Sequence, residues 1–156
     1  MNKEEELVDI LIKKNYHISF AESATGGMLA ARLVNVSNAS KVFTESFVTY
    51  SDEAKIKYLN VNKETIDKYN VVSEEVAKEM AIGCHNQTSA NICATITGVA
   101  GPTGGSEKIP VGMICFGFYI NGIILTKTQN FGNLGRNIVR QMASDYAYDT
   151  LLDYLK

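Results

Sequence analysis

Residues 20–27 read Phe-Ala-Glu-Ser-Ala-Thr-Gly-Gly. An apolar-polar alternation leads into them and a helical run leads out. That is a strand, a tight turn and a helix start in direct succession. Ile18–Ala21 reads as a short buried strand, and a helix is expected from Thr25 to about Val34. Glycines let a backbone approach a ligand closely. The first N–H groups of a helix lack partners inside it and favour an anion or a developing oxyanion. Glu22, Ser23, Thr25, Gly26 and Gly27 are therefore gathered where chemistry is expected. A second glycine-rich turn, Thr97–Gly105, has the same character, so the rest of the chain reads as a frame joining two loops.

That frame is legible element by element. Residues 2–14 form an amphipathic pattern with Leu7, Ile10 and Leu11 on one face and Glu4–Glu6 suited to the helix N-terminus. Val36–Ser40 is turn chemistry, and Phe43–Tyr50 alternates like a strand. Ser51 or Asp52 caps a helix over Glu53–Leu59, and a short helix follows Asn62. Ser73 opens a helix carrying Val76, Ala77, Met80, Ala81 and Cys84 on one face. Asn91–Thr97 is nearly all apolar or β-branched, as a central strand should be. Val111–Ile120 and Ile123–Phe131 flank Asn121-Gly122, a strong hairpin signal. A last helix is expected from Leu134 to Leu155, with Leu134, Ile138, Met142, Tyr146, Leu151 and Leu155 inward. Strands and helices alternate apart from the one late β-hairpin. The expectation is an α/β fold: three layers, α/β/α, around a mixed, mostly parallel sheet. With no repeat or linker, residues 1–156 read as a single domain.

Composition narrows the function. Net charge is −2 with scattered Lys and Arg, which argues against a nucleic-acid partner. No apolar run approaches the roughly 18 residues of a membrane span, and the acidic start is unlike a signal peptide, so no membrane role and a cytoplasmic location are expected. Cys84, Cys93 and Cys115 are widely spaced and read as reduced core residues. His17 and His85 sit in no ligand-spaced cluster, so no metal is expected.

Ser23 is either a helix cap or a nucleophile, and a serine needs a base to attack. Lys55 offers one if burial or a nearby cation lowers its pKa; in isolation it is an ordinary surface lysine. Tyr50, at the end of the preceding strand, is placed to relay a proton or hold that lysine. Ser40 and Ser46 lie within reach as well. Thr97, Gly98, Gly101, Thr103 and Gly104 offer backbone donors for a phosphate or carbonyl oxygen, yet form neither a Walker loop nor a dinucleotide fingerprint. Arg136 and Arg140 share a helix face, and Arg136 is placed to clamp a phosphate or carboxylate.

Five blocks together resemble one family: Glu22-Ser-Ala-Thr-Gly-Gly27, Thr49-Tyr-Ser-Asp-Glu-Ala-Lys55, Val72-Ser-Glu-Glu-Val-Ala77, Thr97–Gly105 and Pro110-Val-Gly112. In order and spacing they look like the CinA C-terminal domain, the nicotinamide-nucleotide amidohydrolase family, in its stand-alone form. The resemblance implies hydrolysis of the carboxamide of nicotinamide mononucleotide, giving nicotinate mononucleotide and ammonia, with no cofactor and with homodimers or larger homo-oligomers. It maps the family's active-site positions onto Ser23, Tyr50, Lys55, Thr97 and Arg136, with Ser40 as a second candidate nucleophile. Substrate contacts are expected from Thr25, Gly26, Gly27, Ser46, Thr97, Gly98, Gly101, Thr103, Gly104 and Arg136. The chain departs from the family in having Ala24 where cysteine is usual, Ser37-Asn-Ala-Ser40 for Pro-Gly-Ser-Ser, and Asn70-Val-Val-Ser73 for Gly-Ala-Val-Ser. The rival reading is a nucleotide-binding or competence-associated interaction module without catalysis; a weaker one is an amidase for another nucleotide-like amide.

Overall fold

The computed structural model describes residues 1–156. Its elements run α1 (Lys3–Lys14), β1 (Ile18–Glu22), α2 (Met28–Val34), β2 (Phe47–Val48), α3 (Asp52–Leu59), α4 (Lys63–Tyr69), α5 (Glu74–Thr88), β3 (Ile92–Gly98), β4 (Met113–Ile120), β5 (Ile123–Asn130) and α6 (Arg136–Leu155). Local chemistry sets most boundaries. Asn2 and Glu5 form a capping box on α1, and Ser51 and Ser73 cap α3 and α5 with their hydroxyls. Asn121 and Gly122 both take positive φ, which closes the β4–β5 hairpin with the twist its strands require.

The sheet has five strands in the order β2-β1-β3-β4-β5. β1 is parallel to β2 and to β3, while β4 is antiparallel to both its neighbours. Four of the five strands thus point one way and the sheet is mixed, as expected. Period-two alternation sorts the side chains. Ile18, Phe20, Ile92, Ala94, Ile96, Ile114, Phe116 and Phe118 face α1, α2 and α6 in the larger core. Ala21 and Cys93 face α5 together with Leu59 and Met80. Each large apolar side chain so buried contributes roughly 1.5–3 kcal/mol. Gly117 allows α5 to lie directly on the sheet, since a Cβ there would come within 2.2 Å of the Ala77 carbonyl oxygen. All three cysteines are buried and free.

Three expectations change. The helix expected from Thr25 starts at Met28, because Gly26 and Gly27 take φ of +60° and +106° and hold the chain in a turn. The strand expected over Phe43–Tyr50 shrinks to Phe47–Val48. Phe43 bridges Ile18 and Phe47 pairs with Ala21, so one extra residue is inserted opposite β1. Ser46 fills the gap: its hydroxyl donates to Phe20 O at 2.8 Å and accepts from Phe20 N–H at 3.2 Å. A side chain there does the work of a backbone ladder. Third, α6 starts at Arg136 and buries Val139, Ala143, Ala147 and Tyr148 along with the expected Leu151 and Leu155. Leu134 and Ile138 are half exposed instead of inward.

The topology decides where a site forms. From β1 the chain moves to one side to make β2, then returns to β1's other side to make β3. The crevice at the carboxyl ends of β1 and β3 is therefore the switch point of the sheet, where ligands bind in open α/β folds.

Candidate active site

Ser23 follows β1 directly, Thr49 follows β2, and Thr97 and Gly98 end β3, so the carboxyl ends of three parallel strands meet. They line one cleft of about 320 Å3 together with Ala24, Tyr50, Asp52, Lys55, Gly101, Thr103, Gly104 and Arg136. Val71, Val72 and Val99 form its apolar wall. Lys55 lies in the first turns of α3 and is only 1% exposed, unlike the solvated lysine its type suggests. Its Nζ donates to Ser23 Oγ at 3.1 Å and to Thr49 O at 2.8 Å. Burial pushes the Lys55 pKa below the usual lysine value, and Asp52 partly opposes the shift. A lysine so held gives up its proton more readily than a solvated one.

The turn after Ser23 is tightly made. Glu22 is fully buried and caps α2: its carboxylate accepts from Leu29 N–H at 2.9 Å, Ala30 N–H at 3.1 Å and Thr25 Oγ1 at 2.7 Å. The helix N-terminus expected to serve an anion is thus already occupied by this chain's own carboxylate. Thr25 turns its hydroxyl to Glu22 and away from the cleft, and Gly26 and Gly27 shape the turn without lining it. Arg136 links the two sides of the mouth, donating to Gly101 O at 2.9 Å and to the Tyr50 hydroxyl at 3.0 Å. Tyr50 is 64% exposed and holds Arg136 there, with no hydrogen bond to Ser23 or Lys55. Thr97 is buried and donates to Val71 O at 3.0 Å, which ties β3 to the cleft's apolar wall.

Two further expected residues stay outside. Ser46 is committed to the β1 backbone. Ser40 is exposed on a 3-10 turn, Ala39–Lys41, just before Val42, whose carbonyl accepts from Ile18 N–H. That is the start of β1, whereas Ser23 follows its end; five strand residues separate the two by about 16 Å. Within one chain, then, Ser23 is the serine beside Lys55. Sequence reasoning gave no site role to Asp52, to the valine wall, to the Thr49 carbonyl, or to Arg140, which bonds the turn after Ser23. Only the pairing of Arg136 with Arg140 on one helix face signalled the last. A backbone carbonyl leaves no mark in a sequence.

The pattern of the CinA C-terminal domain matches residues 1–155. The chain belongs to the CinA C-terminal domain family. It is 47% identical over 146 residues to a CinA-like protein of Kosmotoga olearia, covering 94% of this chain and 35% of that one. Relatives of this kind are longer: the chain spans little more than a third of each, 36% and 37% in two others. A crystal structure of a competence-damaged protein (CinA) superfamily protein from Escherichia coli superposes with a TM-score of 0.93 at 35% identity, covering 97% of this chain and 87% of that one. A competence/damage inducible protein, CihA, from Agrobacterium tumefaciens gives 0.92 at 33% identity, covering 100% and 98%. Membership of the CinA family and the CinA-like α/β fold are therefore established together. No helix is long and apolar enough to cross a membrane.

Proposed function

We propose that this CinA domain hydrolyses the carboxamide of nicotinamide mononucleotide to nicotinate mononucleotide and ammonia, with Ser23 as nucleophile. The observation that carries the reading is the buried Lys55 Nζ, 3.1 Å from Ser23 Oγ, with its pKa lowered by burial. A lysine serves as a base only when it loses its proton near working pH, and burial is what achieves that.

Neutral Lys55 takes the hydroxyl proton as Ser23 Oγ bonds to the amide carbon. The carbonyl oxygen becomes an oxyanion. As the C–N bond breaks, Lys55 returns the proton to nitrogen and ammonia leaves, with Ser23 now esterified. Water then attacks the ester, Lys55 takes its proton, and nicotinate mononucleotide departs while Ser23 regains its hydrogen. No metal or redox partner enters this balance. The Thr49 carbonyl accepts from Nζ and aims it at Ser23 throughout. Arg136 suits the phosphate at the mouth, with Thr103 and Gly104 beside it, and Asp52 suits the cationic pyridinium ring. The cleft volume of about 320 Å3 lies within the range for small-molecule sites. Association into homo-oligomers belongs to the same proposal.

The test is ammonia release from the mononucleotide by the purified protein with Lys55→Ala beside it. Release by the wild type that vanishes in the variant supports the reading. A folded wild type that binds the mononucleotide without releasing ammonia overturns it in favour of a binding module.

A further inference from the structure

A tetrahedral intermediate needs donors for its oxyanion, and the helix N-terminus beside Ser23 is filled by Glu22. The turn itself offers an alternative. Ser23 O accepts from Gly26 N–H at 3.1 Å, and Ala24 and Thr25 between them have negative φ, so residues 23–26 form a type I turn. In such a turn successive N–H groups point to one side, as in the first turn of a helix. The N–H groups of Ala24 and Thr25 have no partner within the chain. The carbonyl sides of the same two peptides are both pinned. Gly26 N–H holds Ser23 O, and Arg140 Nε donates to Ala24 O at 2.9 Å. A trans peptide is planar with its C=O and N–H opposed, so pinning each oxygen aims the hydrogen across from it.

Arg140 is suited to that task. It reaches from the second turn of α6 and also donates through Nη2 to Thr25 O at 3.0 Å and through Nη1 to Asn137 Oδ1 at 3.2 Å. No carboxylate pairs with it, so its charge faces the turn uncancelled. Gly26 leaves it room: a Cβ there would meet Nη2 at 3.3 Å.

Of the two residues Ala24 lines the cleft, whereas Thr25 is fully buried. We propose that the Ala24 N–H is an oxyanion donor of this site, and that Arg140 is the positioning residue that braces its turn from the carbonyl side. The inference rests on the amidase reading and adds its missing electrophilic half. Arg140 touches no substrate, so its effect falls on the transition state and not on ground-state binding.

The test measures ammonia release for wild type, Arg140→Ala and Arg140→Lys. Arg140→Ala should lower kcat about 100-fold, the scale of losing one oxyanion donor, with KM within about threefold of wild type. Arg140→Lys should recover part of the loss, because an ammonium cannot span two carbonyls as a guanidinium does. An aldehyde analogue of the mononucleotide, which forms a tetrahedral adduct with a serine, should lose affinity in step with kcat, whereas nicotinate mononucleotide binding should hold. If Arg140→Ala does not fold, exchange of Ala24 for its α-hydroxy counterpart deletes that one N–H alone and should cost the same factor. Wild-type kcat in either variant, or a loss confined to KM, overturns the inference and leaves the amidase reading standing. Absence of ammonia release by the wild type overturns both.

Discussion

Arg136 and Arg140 stand one turn apart at the start of α6 and grip different glycine loops. Arg136 holds Gly101 O in the second loop, while Arg140 holds Ala24 O and Thr25 O in the first. One helix face therefore fixes the spacing of the two loops between which the cleft opens. The two arginines differ in what they leave free. Arg136 is exposed at the mouth and also meets the Tyr50 hydroxyl, whereas Arg140 is half-buried behind the turn.

From that difference, Arg136→Ala should act on substrate binding. Hydrogen bonds to a charged group are worth about 1.5–3 kcal/mol, so KM for the mononucleotide should rise roughly 10- to 100-fold with a smaller change in kcat. Steady-state kinetics on the variant check this. An unchanged KM would remove Arg136 from the phosphate.

Lys55→Ala and Lys55→Arg should both abolish turnover, since arginine cannot act as a base at accessible pH. In the wild type the rate should rise with pH and level off below the ordinary lysine pKa, because burial lowers that of Lys55. The same shift affects stability. Between the lowered folded pKa and the unfolded value the unfolded chain binds the extra proton, so stability should rise with pH through that window. Lys55→Met should lack this rise. Denaturant melts at a series of pH values, run on wild type and variant, give the answer.

Ser23→Ala should prevent any covalent acyl-enzyme, while Ser40→Ala should leave both adduct and turnover intact. Rapid quenching followed by intact-mass measurement separates them. An adduct that persists in Ser23→Ala and disappears in Ser40→Ala would move the nucleophile to the 3-10 turn and require a second chain to bring it in.

Glu22→Gln should lower stability by about 2–4 kcal/mol. It weakens three charge-assisted hydrogen bonds and turns an amide N–H2 toward backbone donors. Because Glu22 anchors the start of α2 just beyond the Ser23 turn, kcat should fall as well. A Tm within a degree of wild type would show that the cap matters little.

Much of this molecule was written in short-range pattern. The caps at Asn2, Ser51 and Ser73, the α5 stripe from Val76 to Cys84, the apolar β3 and the Asn121-Gly122 hairpin are each set by neighbours a few residues apart. The alternation of these elements determined the α/β fold, and the five motif blocks pointed to the family. Other features depended on partners distant in the chain. Ser46 broke the expected strand because it met Phe20, and α6 turned a different face inward because of what it packs against. The geometry around Ser23 is of this second kind. Lys55 comes 32 positions later and the arginine behind the turn 116 positions after Ala24. Sequence named the candidate residues; the strand order decided which of them meet. A base, a carbonyl and a buried cation act only at hydrogen-bond distance, and only the folded sheet brings them that close.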